Sequence, residues 1–327
     1  MKLVTLRSGA PDGRLALVSR DLRIVVGAQD ICPTLQAALD HWTEAAAALE
    51  TRAEELAHGR ARGAVAFDPL MAAAPLPRSY QWLDGSAYQS HGDLMAKVLH
   101  IENPQTDRPL MYQGMSHEFL SGTDDVVLPS EADGIDFEGE FGVITDAVPM
   151  AVDAREALRH IRLIVQINDW SLRTLAPIEM KTGFGWVQAK PACSVAPVAL
   201  TPDELGAQWE QSRVALPLHV WWNGAQFGAA NGADMLFGFA DLVAHAARSR
   251  VLCAGTIIGS GTVSNANYRE VGSSCIAERR AIELLDEGAS RTPYMRFGDR
   301  VRMAAVDARG EMPFGAIDQR VVALGAG

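Results

Sequence analysis

The chain is 327 residues long, 48% hydrophobic and 21% charged, a globular composition that excludes disordered and collagen-like classes. Forty acidic residues against 29 basic give a formal net charge of −11. No stretch concentrates Lys and Arg as phosphate binding requires, so nucleic acid is not an expected partner. An acidic protein still accepts an acidic substrate where a few cationic side chains or a divalent ion invert the field in one cleft. Cys32, Cys193, Cys253 and Cys275 lack CxxC or Cys/His spacing and read as reduced packing residues. The N-terminal residues carry too many charges for a signal peptide, and no uncharged apolar run approaches the roughly 20 residues of a spanning helix. A cytoplasmic protein without membrane contact is expected.

Residues 1 to 26 alternate apolar and polar positions around a Gly/Pro/Asp turn and predict a short β-hairpin or meander. Thr34, after Pro33, is a predicted N-cap for one long helix through an Ala-, Leu- and Glu-rich segment that closes at Gly59. Three prolines between Asp68 and Tyr80 mark a linker, dividing a small N-terminal domain (1–76) from a larger one (77–327). Beyond it come short strands with frequent glycines: VLHIEN, LMYQG, DDVVLP, IDFEGEFGVI, IRLIVQIND, LPLHVWWNG, TIIGSGTVSN and RVRMAAVD. Two helices are expected there, VDAREALRHIR with Asp153 near its start and MLFGFADLVAHAARS after Asp234. Strands outnumber helices without alternating regularly, which disfavours a doubly wound sheet and predicts a mostly β, α+β fold.

Three of these segments carry candidate chemistry. In Tyr80–His91, Asp84 precedes His91 by seven residues in a stretch too polar for a core element. In Ile135–Ile144 a strand places Ile135, Phe137, Phe141 and Val143 on one face and Asp136, Glu138 and Glu140 on the other. Carboxylates at i and i+2 lie roughly 7 Å apart, and keeping both ionised beside a buried face calls for a cation between them. Oxygen ligands select Mg²⁺, Ca²⁺ or Mn²⁺; a solvated acidic face explains the same alternation and is the commoner arrangement. In Leu163–Arg173 an apolar strand runs into the turn Asn168-Asp169-Trp170-Ser171. There Asp169 is either a ligand at a strand end or a turn cap, with Arg173 as an ion-pair partner.

Asp84-x6-His91, Glu138-x-Glu140, Asn168-Asp169-Trp170-Ser171-x-Arg173, Lys190 and Ser260-Gly261-Thr262, in this order, resemble the fumarylacetoacetate hydrolase family over residues 78 to 325. The resemblance implies that family's mixed β-sheet roll or sandwich as the catalytic domain, in a homodimer. It implies one divalent cation, Mg²⁺ or Ca²⁺ with Mn²⁺ as a further candidate, held by Asp84, Glu138, Glu140 and Asp169. His91 would be the general base on water, since an imidazole titrates near neutral pH, and Glu278 its orienting partner, with Glu270 and Glu283 as competitors. Lys190, rather than Lys181, would supply positive charge to a developing oxyanion or hold the carboxylates. Arg173 would bind an oxyanion or substrate carboxylate, and Tyr112 and Thr262 would contact substrate. The implied reaction is cleavage of a carbon–carbon bond in a β-diketo acid, fumarylacetoacetate to fumarate and acetoacetate, a step of tyrosine catabolism. Fumarylpyruvate or another acylpyruvate is the alternative, and after it isomerisation or decarboxylation of a 2-oxo acid. One departure is Ala176, where the animal enzymes carry glutamine, within a differing neighbourhood from Leu175 to Trp186.

Overall fold

The alternating N-terminal residues form three antiparallel strands, Lys2–Leu6, Arg14–Val18 and Ile24–Gly27. They do not make a sheet of their own: Lys2 pairs with Leu200 and Leu3 with Ala199, joining the meander to strands from far along the chain. The computed structural model, which describes residues 1–99 and 107–325, therefore has one twelve-stranded sheet. Past the meander it runs through Ala199–Leu200, Ile161–Asn168, Gly139–Thr145, Ile257–Gly259, Trp82–Gly85 and Met111–Gly114. Along this path the neighbours are antiparallel except Ile257–Gly259 and Trp82–Gly85, which are parallel. A second sheet of five strands is ordered Ala225–Asn231, Pro217–Trp222, Arg300–Ala305, Ile317–Ala323 and Val126–Leu128. The fold is thus mostly β, with helices at its margins, as the strand-rich pattern predicts.

Period-two alternation sends the two faces of the large sheet into different cores. Phe141, Val143 and Ile164 pack with Leu218, Val220, Val301 and Met303 of the smaller sheet. The buried Gln166 amide also bridges the sheets, donating to the Met303 carbonyl and accepting from Ala305 N. On the opposite face Trp82, Ile144, Leu163, Val165, Ile167 and Ile257 share a core with Leu3, Leu15, Leu17, Leu35, Leu39 and Leu49. The two N-terminal helices, through Leu35, Leu39 and Leu49, thereby pack on part of one face of the sheet that carries the site.

Several predicted elements differ in extent. The helix expected over 34–59 is two, Leu35–Asp40 and Trp42–Ala57, broken at His41 with φ −128° and ψ 39°. Thr34 does cap the first, its hydroxyl accepting from Ala37 N at 3.2 Å. The buried series Leu35, Leu39, Trp42, Ala45, Leu49 keeps helical spacing across the break, so periodicity gave no sign of it. VLHIEN is not a strand in its described part: Gln89–Leu99 is a helix whose Leu94 packs on Ala281 and Ile282, and 100–103 lie outside the described residues. The helix after Asp153 is only Ala154–Leu158, and the one expected after Asp234 starts at Phe239. Ala176–Thr182 and Ile276–Glu287 are further helices where none was expected. Among the described residues no helix is long and apolar enough to cross a membrane.

Candidate active site and metal centre

The expected strand over Ile135–Ile144 is interrupted at Phe137 and Glu138, giving Ile135–Asp136 and Gly139–Thr145. The break separates the fates of its three acids. Glu140 stays on the face shared with Ile144, while Asp84 shares the face of Trp82 and Asp169 continues that of Ile167. Three strand ends thus bring Asp84, Glu140 and Asp169 together, at most 4% exposed, with one oxygen from each within 4.8 Å of the others. Two glycines permit the close approach. A Cβ on Gly259 would stand 2.3 Å from Asp84 Oδ1, and Gly261, at φ +77°, donates its N–H to that oxygen at 3.1 Å.

The electrostatics of this trio suit a cation. Both Glu140 carboxylate oxygens are buried without a hydrogen-bond donor. Burial, and then the charge of Asp169, push Asp84 up to about 8. Burial and the charges of Asp84 and Asp169 raise Glu140 well above the usual carboxylate range. An all-oxygen donor set of this kind, with an oxygen pair unsatisfied, fits a hard divalent cation.

Glu138, the fourth sequence-derived ligand, lies beside the trio but is bound by cations of the chain itself. Its oxygens accept from Lys190 Nζ at 2.5 Å and Arg173 Nη2 at 2.5 Å. Burial pushes its pKa up, and the Lys190 and Arg173 charges outweigh burial and hold it well below the carboxylate range. Lys190 Nζ also donates to Asp169 Oδ2 at 2.6 Å and Ser171 Oγ at 2.8 Å, and the two carboxylates keep it protonated against burial. Tyr112 donates its hydroxyl to the same Asp169 oxygen at 2.6 Å, and the Cys193 thiol donates to Oδ1 at 2.9 Å. Arg173 is not a partner of Asp169. Its Nε binds Asp136 at 2.8 Å, and Asp136 accepts from Ile276 N and Ala277 N at 2.7 and 2.9 Å, capping the helix Ile276–Glu287.

That helix carries Glu278 in its first turn, facing His91 of the helix Gln89–Leu99, with His91 Nδ1 3.7 Å from Glu278 Oε1. Ser264 Oγ donates to Oε1 at 2.5 Å and receives from Ser90 Oγ at 2.8 Å. The competing residues lie elsewhere: Glu270 accepts from Asn267, Glu283 from Thr292, and Lys181 is exposed. Thr262 is buried directly after Gly261. Trp186, from the loop after Ala176–Thr182, meets the Tyr112 ring edge-on at 6.0 Å. The sequence reading missed Cys193, Cys275, Ser264 and Asp136. An isolated Cys or Ser carries no periodic signal, and Asp136 was grouped with its neighbours by an alternation that the strand break ends.

A β-rich scaffold with a buried carboxylate trio at strand ends, beside a His–Glu pair, defines a class of small-molecule site. Residues 81–322 match the profile described as "Fumarylacetoacetate (FAA) hydrolase C-terminal", and residues 1–78 match "Fumarylacetoacetase N-terminal domain 2". The chain belongs to the fumarylacetoacetate hydrolase family. A 2,4-didehydro-3-deoxy-L-rhamnonate hydrolase of Sphingomonas sp. (strain SKA58) is 28% identical over 181 residues, 54% of this chain and 59% of that protein. A mitochondrial oxaloacetate tautomerase of Homo sapiens is 23% identical over 162 residues, 49% of each chain. The chain thus spans about half to three-fifths of the length of these two relatives. Maleylpyruvate hydrolase from Sphingobium sp. SYK-6, solved with manganese (II) ion and pyruvate, shares the fold with TM-score 0.66, at 18% identity and 99% coverage of both chains.

Proposed function

We propose that this protein hydrolyses a carbon–carbon bond in a small β-diketo acid, fumarylacetoacetate or an acylpyruvate, with a divalent cation held by Asp84, Glu140 and Asp169 and with Glu138 at its margin. The observation that carries the reading is the His91–Glu278 pair, 3.7 Å apart, beside a carboxylate site. Isomerisation or decarboxylation of a 2-oxo acid has no need of an activated water, whereas hydrolysis does. The pyruvate and manganese in the related maleylpyruvate hydrolase support the same substrate class.

A divalent cation held by Asp84, Glu140 and Asp169 would supply Lewis-acid chemistry to a diketone. His91 takes a proton from water, and Glu278, oriented by Ser264, stabilises the imidazolium. The hydroxide adds to one carbonyl carbon, the bond from that carbon to the central carbon breaks, and the central carbon takes up the proton that His91 removed from water. Lys190 and Arg173 keep Glu138 ionised, and Lys190 and Tyr112 fix Asp169. Because Arg173 already serves two carboxylates, it acts here by positioning them.

The test is turnover of fumarylacetoacetate, fumarylpyruvate and oxaloacetate by protein loaded with Mg²⁺ or Mn²⁺, in water enriched in ¹⁸O. Hydrolysis places the label in the acid product, and His91→Ala lowers kcat by roughly 10²–10⁴-fold. Tautomerisation of oxaloacetate with no label entering any product from the two diketo acids would refute the hydrolytic reading.

A further inference from the structure

A second group of metal-ligating side chains lies next to the carboxylate trio and has a different chemistry. His91, Cys275 and Glu278 each offer a ligand atom, and the three atoms lie within 4.8 Å of one another. Two of these residues have donor atoms with nothing to bind: His91 Nδ1 and Glu278 Oε2 are buried without a hydrogen-bond partner, and Glu278 is wholly buried. Orphaned polar atoms of this kind are costly to bury unless something occupies them in one state of the protein.

We propose that His91, Cys275 and Glu278 form a binding site for Zn²⁺, distinct from the all-oxygen site, whose occupation withdraws His91 and Glu278 from the reaction. The inhibitory part rests on the hydrolytic reading above; the binding part does not.

The donor set makes the choice of metal. One nitrogen, one sulfur and one oxygen suit a borderline-soft ion, whereas Asp84, Glu140 and Asp169 suit a hard one. Zinc bonds of roughly 2.0–2.3 Å put tetrahedral ligands about 3.5 Å apart. His91 Nδ1 and Glu278 Oε1 are already 3.7 Å apart, and no pair of ligand atoms exceeds 4.8 Å, so the largest contraction needed is about 1.3 Å. Cys275 is the N-cap of the helix that carries Glu278 in its first turn, its Sγ accepting from Glu278 N at 3.3 Å, so the two side chains lie together at that helix end. His91 comes from the helix packed on that one, through Leu94 against Ala281 and Ile282.

Charge favours a cation there as well. The Arg173 guanidinium is matched by Asp136 and Glu138, which leaves Glu278 as an excess negative charge beside the thiol. Burial raises the Cys275 thiol well above its usual value, so zinc binding breaks the S–H bond, forms S–Zn and releases the proton to solvent. The His91 side chain, 16% exposed, gives the ion a way in, and the open fourth position would take water.

The experiment uses the whole chain loaded with Mg²⁺ and titrated with Co²⁺ or Cd²⁺, reading the thiolate-to-metal charge-transfer absorbance. One saturable equivalent is expected in the wild type and in Cys193→Ser. The band should be lost in Cys275→Ser, whose hydroxyl can still cap the helix and whose far-UV circular dichroism checks the fold. Absence of the band in the wild type, or a band that survives Cys275→Ser and vanishes in Cys193→Ser, overturns the site. In a parallel arm Zn²⁺ lowers turnover of the Mg²⁺-loaded wild type, and Cys275→Ser shifts the half-inhibitory concentration upward by roughly tenfold or more. Undiminished turnover at a Zn²⁺ concentration that displaces the Co²⁺ band overturns the inhibitory role. If no diketo acid is turned over at all, the functional reading fails while the absorbance still decides the site.

Discussion

A cation held by Asp84 and Glu140 would bind in competition with protons. Their folded-state pKa values lie above the ordinary carboxylate value, Asp84 at about 8 against 3.8, because burial and neighbouring acids oppose ionisation. Between roughly pH 4 and 8 the folded cation-free protein therefore holds more protons than the unfolded chain, and these two groups make its stability fall as pH rises. A divalent cation replaces those protons, so Mn²⁺ should raise the melting temperature more at pH 8 than at pH 5.5. Glu140→Gln should flatten that difference, and a cation effect indifferent to pH would contradict the assignment. Lys190 makes the converse case. It is the ammonium between Glu138 and Asp169, and Lys190→Met leaves two buried carboxylates without it. Chemical denaturation of the cation-free variant should show a loss of about 3–5 kcal/mol. Strand alternation pointed to Glu140 and a strand end to Asp169, each with a commoner reading beside it, whereas Asp84 joined them only through the resemblance to a family. Cys193, which donates to Asp169, was not, since nothing local distinguishes it from a packing cysteine.

The helix Ile276–Glu287 is the element on which the site's geometry turns, and the sequence did not announce it. Its dense charges, Glu278, Arg279, Arg280, Glu283, Asp286 and Glu287, mask a narrow buried side of Ile276, Ala281 and Ile282. Its N-terminus is held by Asp136, a residue 140 positions earlier in the chain, and no local pattern reports so distant a cap. Asp136 also anchors Arg173, so one carboxylate sets the aim of Glu278 and the grip on Glu138. Asp136→Ala should cost about 0.5–2 kcal/mol for the cap alone, with more for the guanidinium left half-paired. It should lower kcat about tenfold or more, while Mn²⁺ affinity measured by calorimetry changes less, because the Asp84 and Asp169 carboxylates are held by other groups, Gly261 N for the one and Tyr112, Lys190 and Cys193 for the other. Equal losses in both would place Asp136 inside the cation site. The sheet itself was easier to foresee: Ile161–Asn168 and Pro217–Trp222 fall within their predicted strands, and Gly139–Thr145 overlaps the second half of its own, because β-branched and aromatic runs there outweigh any helical period.

The family profiles part between residues 78 and 81, yet neither the sheet nor the core does. Leu3 and Lys2 extend the strand ladder through Ala199 and Leu200, and the Met1 ammonium lies 3.1 Å from Glu204. The second core joins Leu3, Leu15, Leu17, Leu35, Leu39 and Leu49 to Ile144, Leu163, Val165, Ile167 and Ile257. The proline-rich segment 68–80 reads as a linker by composition, but Ala72, Ala74 and Leu76 within it are buried, so it packs along the body rather than spanning a gap. Removing residues 1–78 would bare five large aliphatic side chains on the sheet, each contributing about 1.5–3 kcal/mol when buried. Their sum, on the order of 10 kcal/mol, is as large as the whole stability of an ordinary domain. A chain beginning at Ser79 should therefore aggregate or bind hydrophobic dyes as a loosened globule, with no resolved cation-dependent melting transition. The same chain mixed with a separately expressed 1–78 segment should recover part of that transition, since Lys2–Leu6 has an edge at Ala199–Leu200 on which to dock. A soluble 79–327 chain that melts cooperatively and binds Mn²⁺ with unchanged affinity would show instead that the carboxylate site is held by its own strands, with the N-terminal layer as cover.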